Sequence, residues 1–153
     1  DVLGQLRPGD YKQHTIWTTL EPCLLCSTAI VMSNVGIVRF AAQDRLWNGL
    51  TRLPELNEFV AERWPNRIGP MTGPIATFCE VLPLIWFVKN KPRGTVVSRY
   101  GTRNPKILEL AQHLAQDARF KYLESETVDA TLAELWPELE RFDSPAFPPS
   151  ARA

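Results

Sequence analysis

The sequence has 153 residues, 44% of them hydrophobic and 22% charged, a composition that suits a folded domain with its own core and excludes wholesale disorder. Lys and Arg number 17, as do Asp and Glu, so the chain as a whole is not a basic nucleic-acid binder. The longest apolar run, Val81 to Val88, is far too short to cross a bilayer, and three cysteines are few and odd in number, which argues against a disulfide scaffold and for a reducing, cytoplasmic compartment.

Residues 1 to 7 have the pattern of a helix tail, and Pro8, Gly9 and Asp10 that of a turn. No secretory signal is visible at Asp1. Thr15 to Leu20 is rich in β-branched and aromatic residues and predicts a strand. Pro22 suits a first helical turn, and Leu24 to Asn34 runs apolar almost all round, which predicts a buried helix ended by Asn34 and Gly36. Gly36 to Ala42 predicts a second strand. Strand, helix and strand with short links predict a parallel pair crossed by a helix.

After Asp44 the pattern loosens. Pro54 opens a short amphipathic helix carrying Leu56, Phe59, Val60 and Trp64, and residues 66 to 73 are turn-rich. Ile75 to Val88 predicts a helix kinked or interrupted at Pro83, or else a pair of short buried strands. Residues 89 to 106 carry Lys89, Lys91, Arg93, Arg99, Arg103 and Lys106, no acidic residue and several Pro and Gly, the composition of a basic linker or exposed loop. Asn104 and Pro105 cap a helix with Ile107, Leu110, Ala111 and Leu114 on one side. A last amphipathic segment, Val128 to Phe142, is broken at Pro137. Residues 144 to 153, rich in Pro, Ser and Ala, predict a disordered tail. The organisation expected is thus a core at 1–88 with an insertion at about 45–65, a basic linker at 89–106, a helical C-terminal extension at 107–143, and the tail.

The chemically informative motif is Thr19-Leu20-Glu21-Pro22-Cys23-Leu24-Leu25-Cys26, where a strand ends and a helix begins. Cysteines three apart on a helix share a face, so Cys23 and Cys26 can reach one metal at about 2.3 Å. The positive end of the helix dipole favours their thiolates. A third protein ligand and an open position would make such a zinc site catalytic.

Pro-Cys-x-x-Cys between a strand and a helix, within Thr-Leu-Glu-Pro-Cys-x-x-Cys-x-x-Ala ending at Ala29, resembles the zinc half of the cytidine-deaminase-like superfamily, most closely its tRNA-adenosine, guanine and cytosine deaminase branch. Residues 36–42 and Gly73-Pro74-Ile75 also fit, and the resemblance covers roughly residues 1 to 88. It implies an α/β fold, a partial cytidine-deaminase-like αβα sandwich with a helical C-terminal extension. It also implies a zinc ion on Cys23 and Cys26 and hydrolytic removal of an exocyclic amine from a nucleobase, a nucleoside or a tRNA base, with a homodimer expected and no membrane association. The family's His-x-Glu motif, which supplies the third ligand and the proton shuttle, occurs nowhere in the sequence; the resemblance puts it before Asp1, and the chain by itself is expected to be inactive.

Other readings of the same residues remain. The chain could keep the zinc fold as a non-catalytic partner subunit. A Cys-x-x-Cys after a strand also describes redox proteins, although Pro22 precedes the pair instead of lying inside it. A structural zinc site would need a second pair, which lone Cys79 does not supply, and two cysteines by chance in a core helix is the plainest alternative. His14, at the far end of the first strand, is a poor third ligand. His113 reads as a surface or packing residue, and Cys79 as a small buried hydrophobe. Asp44, just beyond the second strand, stands where ligands bind in open α/β sheets; it hydrogen-bonds the substrate's amidine edge or caps the loop. Trp47 stacks on a base or lids the insertion. The basic stretch contacts phosphates, giving a nucleic-acid substrate, or is a solvated linker.

Overall fold

Thr15–Leu20 forms strand β1 and Ile37–Ala42 strand β2. They pair in parallel, Thr15 opposite Ile37 and Leu20 opposite Ala42, as the strand–helix–strand pattern predicts. Parallel neighbours need a crossover, and helix α1 (Leu24–Ser33) provides it. Asn34 ends α1 in the left-handed region at φ 56°, its N–H turned back to the carbonyls of Ile30 and Val31, a helix stop that Asn tolerates. Gly36 follows because a Cβ there would run into the backbone carbonyl of Lys12. Ile30, Val35, Val38 and Phe40 bury together, with Tyr11 and Ile16 packed against them.

The structure, a computed structural model, describes residues 10–47, 49–117 and 127–142; the helix tail expected at 1–7 and the tail expected at 144–153 lie outside them. The chain divides into two compact units, Asp1–Pro70 and Met71–Ala153. It is mixed α/β, mostly helical with a small parallel sheet.

Two expectations for the first unit need correction. Helix α1 is not buried all round: Ser27, Ile30 and Val31 are buried, whereas Leu25 is 79% and Met32 62% exposed. Seven residues apart, those two share a stripe opposite the buried one. The stretch after residue 65 is not only turns. Asn66–Ile68 forms strand β3, parallel to β2 with Ile37 opposite Asn66 and Arg39 opposite Ile68, giving the order β1-β2-β3. Three residues are too few to display an alternating pattern. Between β2 and β3 the amphipathic run is two short helices, α2 (Leu53–Leu56) and α3 (Glu58–Arg63). Asn57 divides them in an extended conformation and accepts the Val60 N–H at 3.1 Å, an N-cap bond.

The second unit is helical: α4 (Pro74–Asn90), α5 (Thr95–Arg103), α6 (Pro105–Gln116) and α7 (Val128–Arg141). Helix α4 packs against α5, α6 and α7. It runs unbroken through Pro83; the ring removes one backbone bond, and the buried side chains of Val81, Leu84 and Ile85 around it hold the helix in place. Helix α7 likewise continues through Pro137, with Thr131, Leu135 and Leu139 buried at helical spacing. The basic linker expected at 89–106 contains a helix instead. Val97 and Tyr100 are buried one turn apart in α5, and a Cβ at Gly101 would meet Leu108 on α6 at ordinary contact distance. Asn104 caps α6 by accepting from the Ile107 N–H and donates to the buried Glu80 carboxylate at 3.2 Å. Among the described residues no helix is long and apolar enough to cross a membrane.

Candidate functional site

The turn between β1 and α1 is built by its backbone. The Glu21 N–H donates to the Ala42 carbonyl at 2.7 Å, carrying the β1–β2 ladder one residue past Leu20. Cys23 is the N-cap of α1, extended at ψ 178°, and its carbonyl accepts from the Ser27 N–H at 2.8 Å. The buried Ser27 hydroxyl donates to the Pro22 carbonyl at 3.0 Å, so the same residue pins both sides of the turn. The Sγ atoms of Cys23 and Cys26 are hydrogen-bonded at 3.5 Å. Two thiolates on one tetrahedral zinc lie roughly 3.8 Å apart, given zinc–sulfur bonds of about 2.3 Å. The pair is therefore set for a shared metal with almost no movement. Both are free thiols, Cys23 half-buried and Cys26 exposed.

Their electrostatics differ. The Cys26 backbone N–H donating to its sulfur lowers the Cys23 thiol pKa below its ordinary value, against opposing contributions from burial and from the Asp44 carboxylate. The Cys26 thiol is raised, first by its hydrogen bond with Cys23, then by burial. Of the two thiols, Cys23 is therefore the one favoured to ionise first.

Beside the turn, Glu21 and Arg67 form an ion pair at 2.8 Å, their side chains only 10% and 8% exposed. The second Glu21 carboxylate oxygen accepts from the Asp44 N–H at 3.3 Å. Asp44 itself is buried, and its Oδ1 accepts from the Leu46 N–H at 2.9 Å, so the loop-capping geometry is formed. Trp47 follows in a short 3-10 turn and is 42% exposed.

The other residues singled out in the sequence stand apart from this turn. His14 precedes β1, at the opposite end of the strand from Cys23, in edge contact with Tyr11. Together with Thr15, Ile16, Ile30 and Val35 they line an apolar cavity of about 520 Å³. Cys79 is buried in α4, and burial pushes its thiol pKa up. Among the described residues no third His, Cys, Asp or Glu joins Cys23 and Cys26 at ligand distance. In chemistry and spacing Cys23 and Cys26 suit a zinc ion and would supply two of its ligands.

A second grouping has no counterpart in the sequence reading. His113 on α6, Asp117 at its C-cap and Glu138 on α7 bring one nitrogen and two oxygens within 4.8 Å of one another. His113 and Asp117 are four apart near a helix end, the local signal that was there to be read. Glu138 enters only through the tertiary fold, and Asp117 and Glu138 each have further partners.

Comparison of the chain with protein-family models, with characterised proteins and with solved structures gives no match.

Proposed function

We propose that the protein is a zinc-dependent hydrolytic deaminase of cytidine-deaminase-like fold, acting on the exocyclic amine of a nucleobase, a nucleoside or a tRNA base. The observation that carries this reading is the Glu-Pro-Cys-x-x-Cys turn: two sulfurs 3.5 Å apart at the first turn of a crossover helix, at the carboxyl end of two parallel strands. Ligands of open α/β sheets collect at that end, and thiolates are favoured at a helix N-terminus.

In this reading Cys23 and Cys26 hold the metal, with a further ligand that the described residues do not supply. Zinc bound there supplies Lewis acidity toward a water nucleophile. The reaction exchanges the ring C–NH2 for C=O with uptake of water and release of ammonia. Asp44 keeps the loop after β2 in shape, and its carboxylate is close enough to Cys23 to oppose the lowering of its pKa. Trp47 offers an exposed ring face on which a base stacks.

The test is ammonia release from guanine, adenine, cytosine, their nucleosides and tRNA by zinc-loaded protein that includes the His-x-Glu segment the resemblance implies, with zinc measured on the same samples. Cys23→Ala and Cys26→Ala are each expected to lose both zinc and turnover. Zinc content unchanged in both variants rejects the metal assignment. Zinc retained by the unaltered protein without turnover on any substrate makes the chain a zinc-fold partner subunit instead.

A further inference from the structure

Arg67 is an expensive residue for a short strand. Its guanidinium is buried between the rings of Phe40 at 5.5 Å and Trp64 at 5.4 Å. Its Nη2 bonds Glu21, while Nε and Nη1 are buried with no hydrogen-bond partner. Removing a guanidinium from water is costly, and a buried ion pair is often no more stabilising than an apolar pair of the same volume. Unsatisfied N–H groups add to the cost. Stability alone therefore does not account for the arrangement.

What the pair does provide is geometry. Glu21 lies two residues before Cys23 and is tied at three points to two other stretches of chain. Its N–H is held by Ala42 at the end of β2, one carboxylate oxygen by the Asp44 N–H, and the other by Arg67 on β3. Arg67 is itself fixed by register, opposite Val38 on β2. The chain leaving β1 is thereby clamped immediately before the first sulfur, while Ser27 clamps it immediately after. Groups that orient metal ligands from outside the coordination shell commonly govern affinity, and ligands already held in place lose less entropy on binding.

We infer that Arg67, acting through Glu21, is a positioning residue that sets the separation of the Cys23 and Cys26 thiols. The purpose of that separation rests on the zinc reading above; the geometry does not.

Two probes on the full chain separate the two. The first is cobalt(II), followed by its thiolate charge-transfer absorption. The second is phenylarsine oxide, which bridges paired thiols without any zinc site. Two As–S bonds replace two S–H bonds, the oxygen leaves as water, and nothing is oxidised or reduced. The informative variant is Glu21→Leu with Arg67→Leu, which removes both charges so that neither is left buried and unpaired. Its circular dichroism and melting midpoint are expected to stay close to those of the unaltered chain. Its dissociation constants for both probes are expected to rise on the order of ten-fold, with a shifted cobalt spectrum. Arg67→Lys, which keeps the charge and loses the fork, is expected to recover part of the affinity and serves as the test if the double variant melts early. Unchanged dissociation constants for both probes in folded variants overturn the positioning role. An unaltered chain that takes up the arsenical and not cobalt, with variants weakened toward the arsenical, rejects the zinc reading and keeps Arg67 in its role.

Discussion

Cys23 and Cys26 carry the same group in the same turn, yet their protons behave differently, and this is open to measurement. The thiolate is the nucleophile toward alkylating agents. The Cys23 pKa is lowered, so its thiolate fraction at neutral pH exceeds that of an ordinary thiol; the raised Cys26 keeps its proton in the same range. Exposure works the other way, because Cys26 is the more open of the two. Brief treatment of the metal-free protein with iodoacetamide at pH 7 is expected to label Cys23 first, Cys26 later and Cys79 last. Cys79 is both buried and raised in pKa. The Cys23 rate should reach its half-maximum at a lower pH than the Cys26 rate does. Peptide mass spectrometry that finds Cys26 labelled ahead of Cys23 would contradict the hydrogen-bond pattern of the turn. At this scale the sulfur pair is legible in the sequence, because ligands three apart on a helix are a local pattern. The Glu21–Arg67 pair is not, since 46 residues separate its members and a lone Arg in a turn-rich stretch gives no sign of burial. Asp44 was legible as a position but not as a role; capping requires knowing that the Leu46 N–H faces it.

Among the elements, the β1–α1–β2 unit depends most on one backbone contact. Gly36 directly precedes β2 and lies against the turn Asp10–Gln13, with its N–H donating to the Tyr11 carbonyl at 3.2 Å and its carbonyl accepting from the Asn66 N–H at 2.8 Å. Both neighbours of Gly36 are therefore backbone, and the Lys12 carbonyl occupies the space a Cβ needs. Backbone held by hydrogen bonds on two sides cannot retreat as a flexible side chain would. Gly36→Ala is expected to destabilise the first unit by about 1–3 kcal/mol, the usual cost of overpacking. Urea unfolding followed by tryptophan fluorescence in a Trp86→Phe, Trp136→Phe background, which leaves only the first unit's tryptophans, reads this out, and a midpoint equal to that of the same background with Gly36 would show that the turn moves aside freely. The strand–helix–strand core could be read from sequence because its strands are six residues each and its turns carry their own signals in Pro22 and Asn34. The reading failed at α5, where counting charges and breakers hid the one-turn spacing of Val97 and Tyr100. At Pro83 the helix reading holds without an interruption, and at Pro137 the expected break is absent; at both, tertiary burial outweighs the helix-breaking tendency of proline.

On the scale of the whole molecule, the question that the proposed deaminase reading leaves is what carries the amine. The formal net charge is zero, so no long-range field draws the chain to a polyanion. Yet Lys89, Lys91, Arg93, Arg99, Arg103 and Lys106 are all exposed, and no acidic residue lies among them in the sequence. Exposure is expected of solvated Lys and Arg, and two of these charges serve their own helices: Lys89 and Arg103 sit in the last turns of α4 and α5, where a positive charge complements the helix dipole. That account leaves Lys91, Arg93, Arg99 and Lys106, and the first three are the charges with which phosphate binding is tested. A free base or nucleoside makes no use of them, whereas RNA binding that relies on phosphate contacts weakens steeply with salt. We expect tRNA to bind the chain no more tightly than about 10⁻⁴ M at roughly 0.15 M salt, the weak end of sequence-independent association. Fluorescence anisotropy across a salt series measures it. A dissociation constant near 10⁻⁶ M, with a logarithmic salt slope that falls by about one for each of Lys91→Gln, Arg93→Gln and Arg99→Gln, would reverse that expectation and make RNA the bearer of the amine.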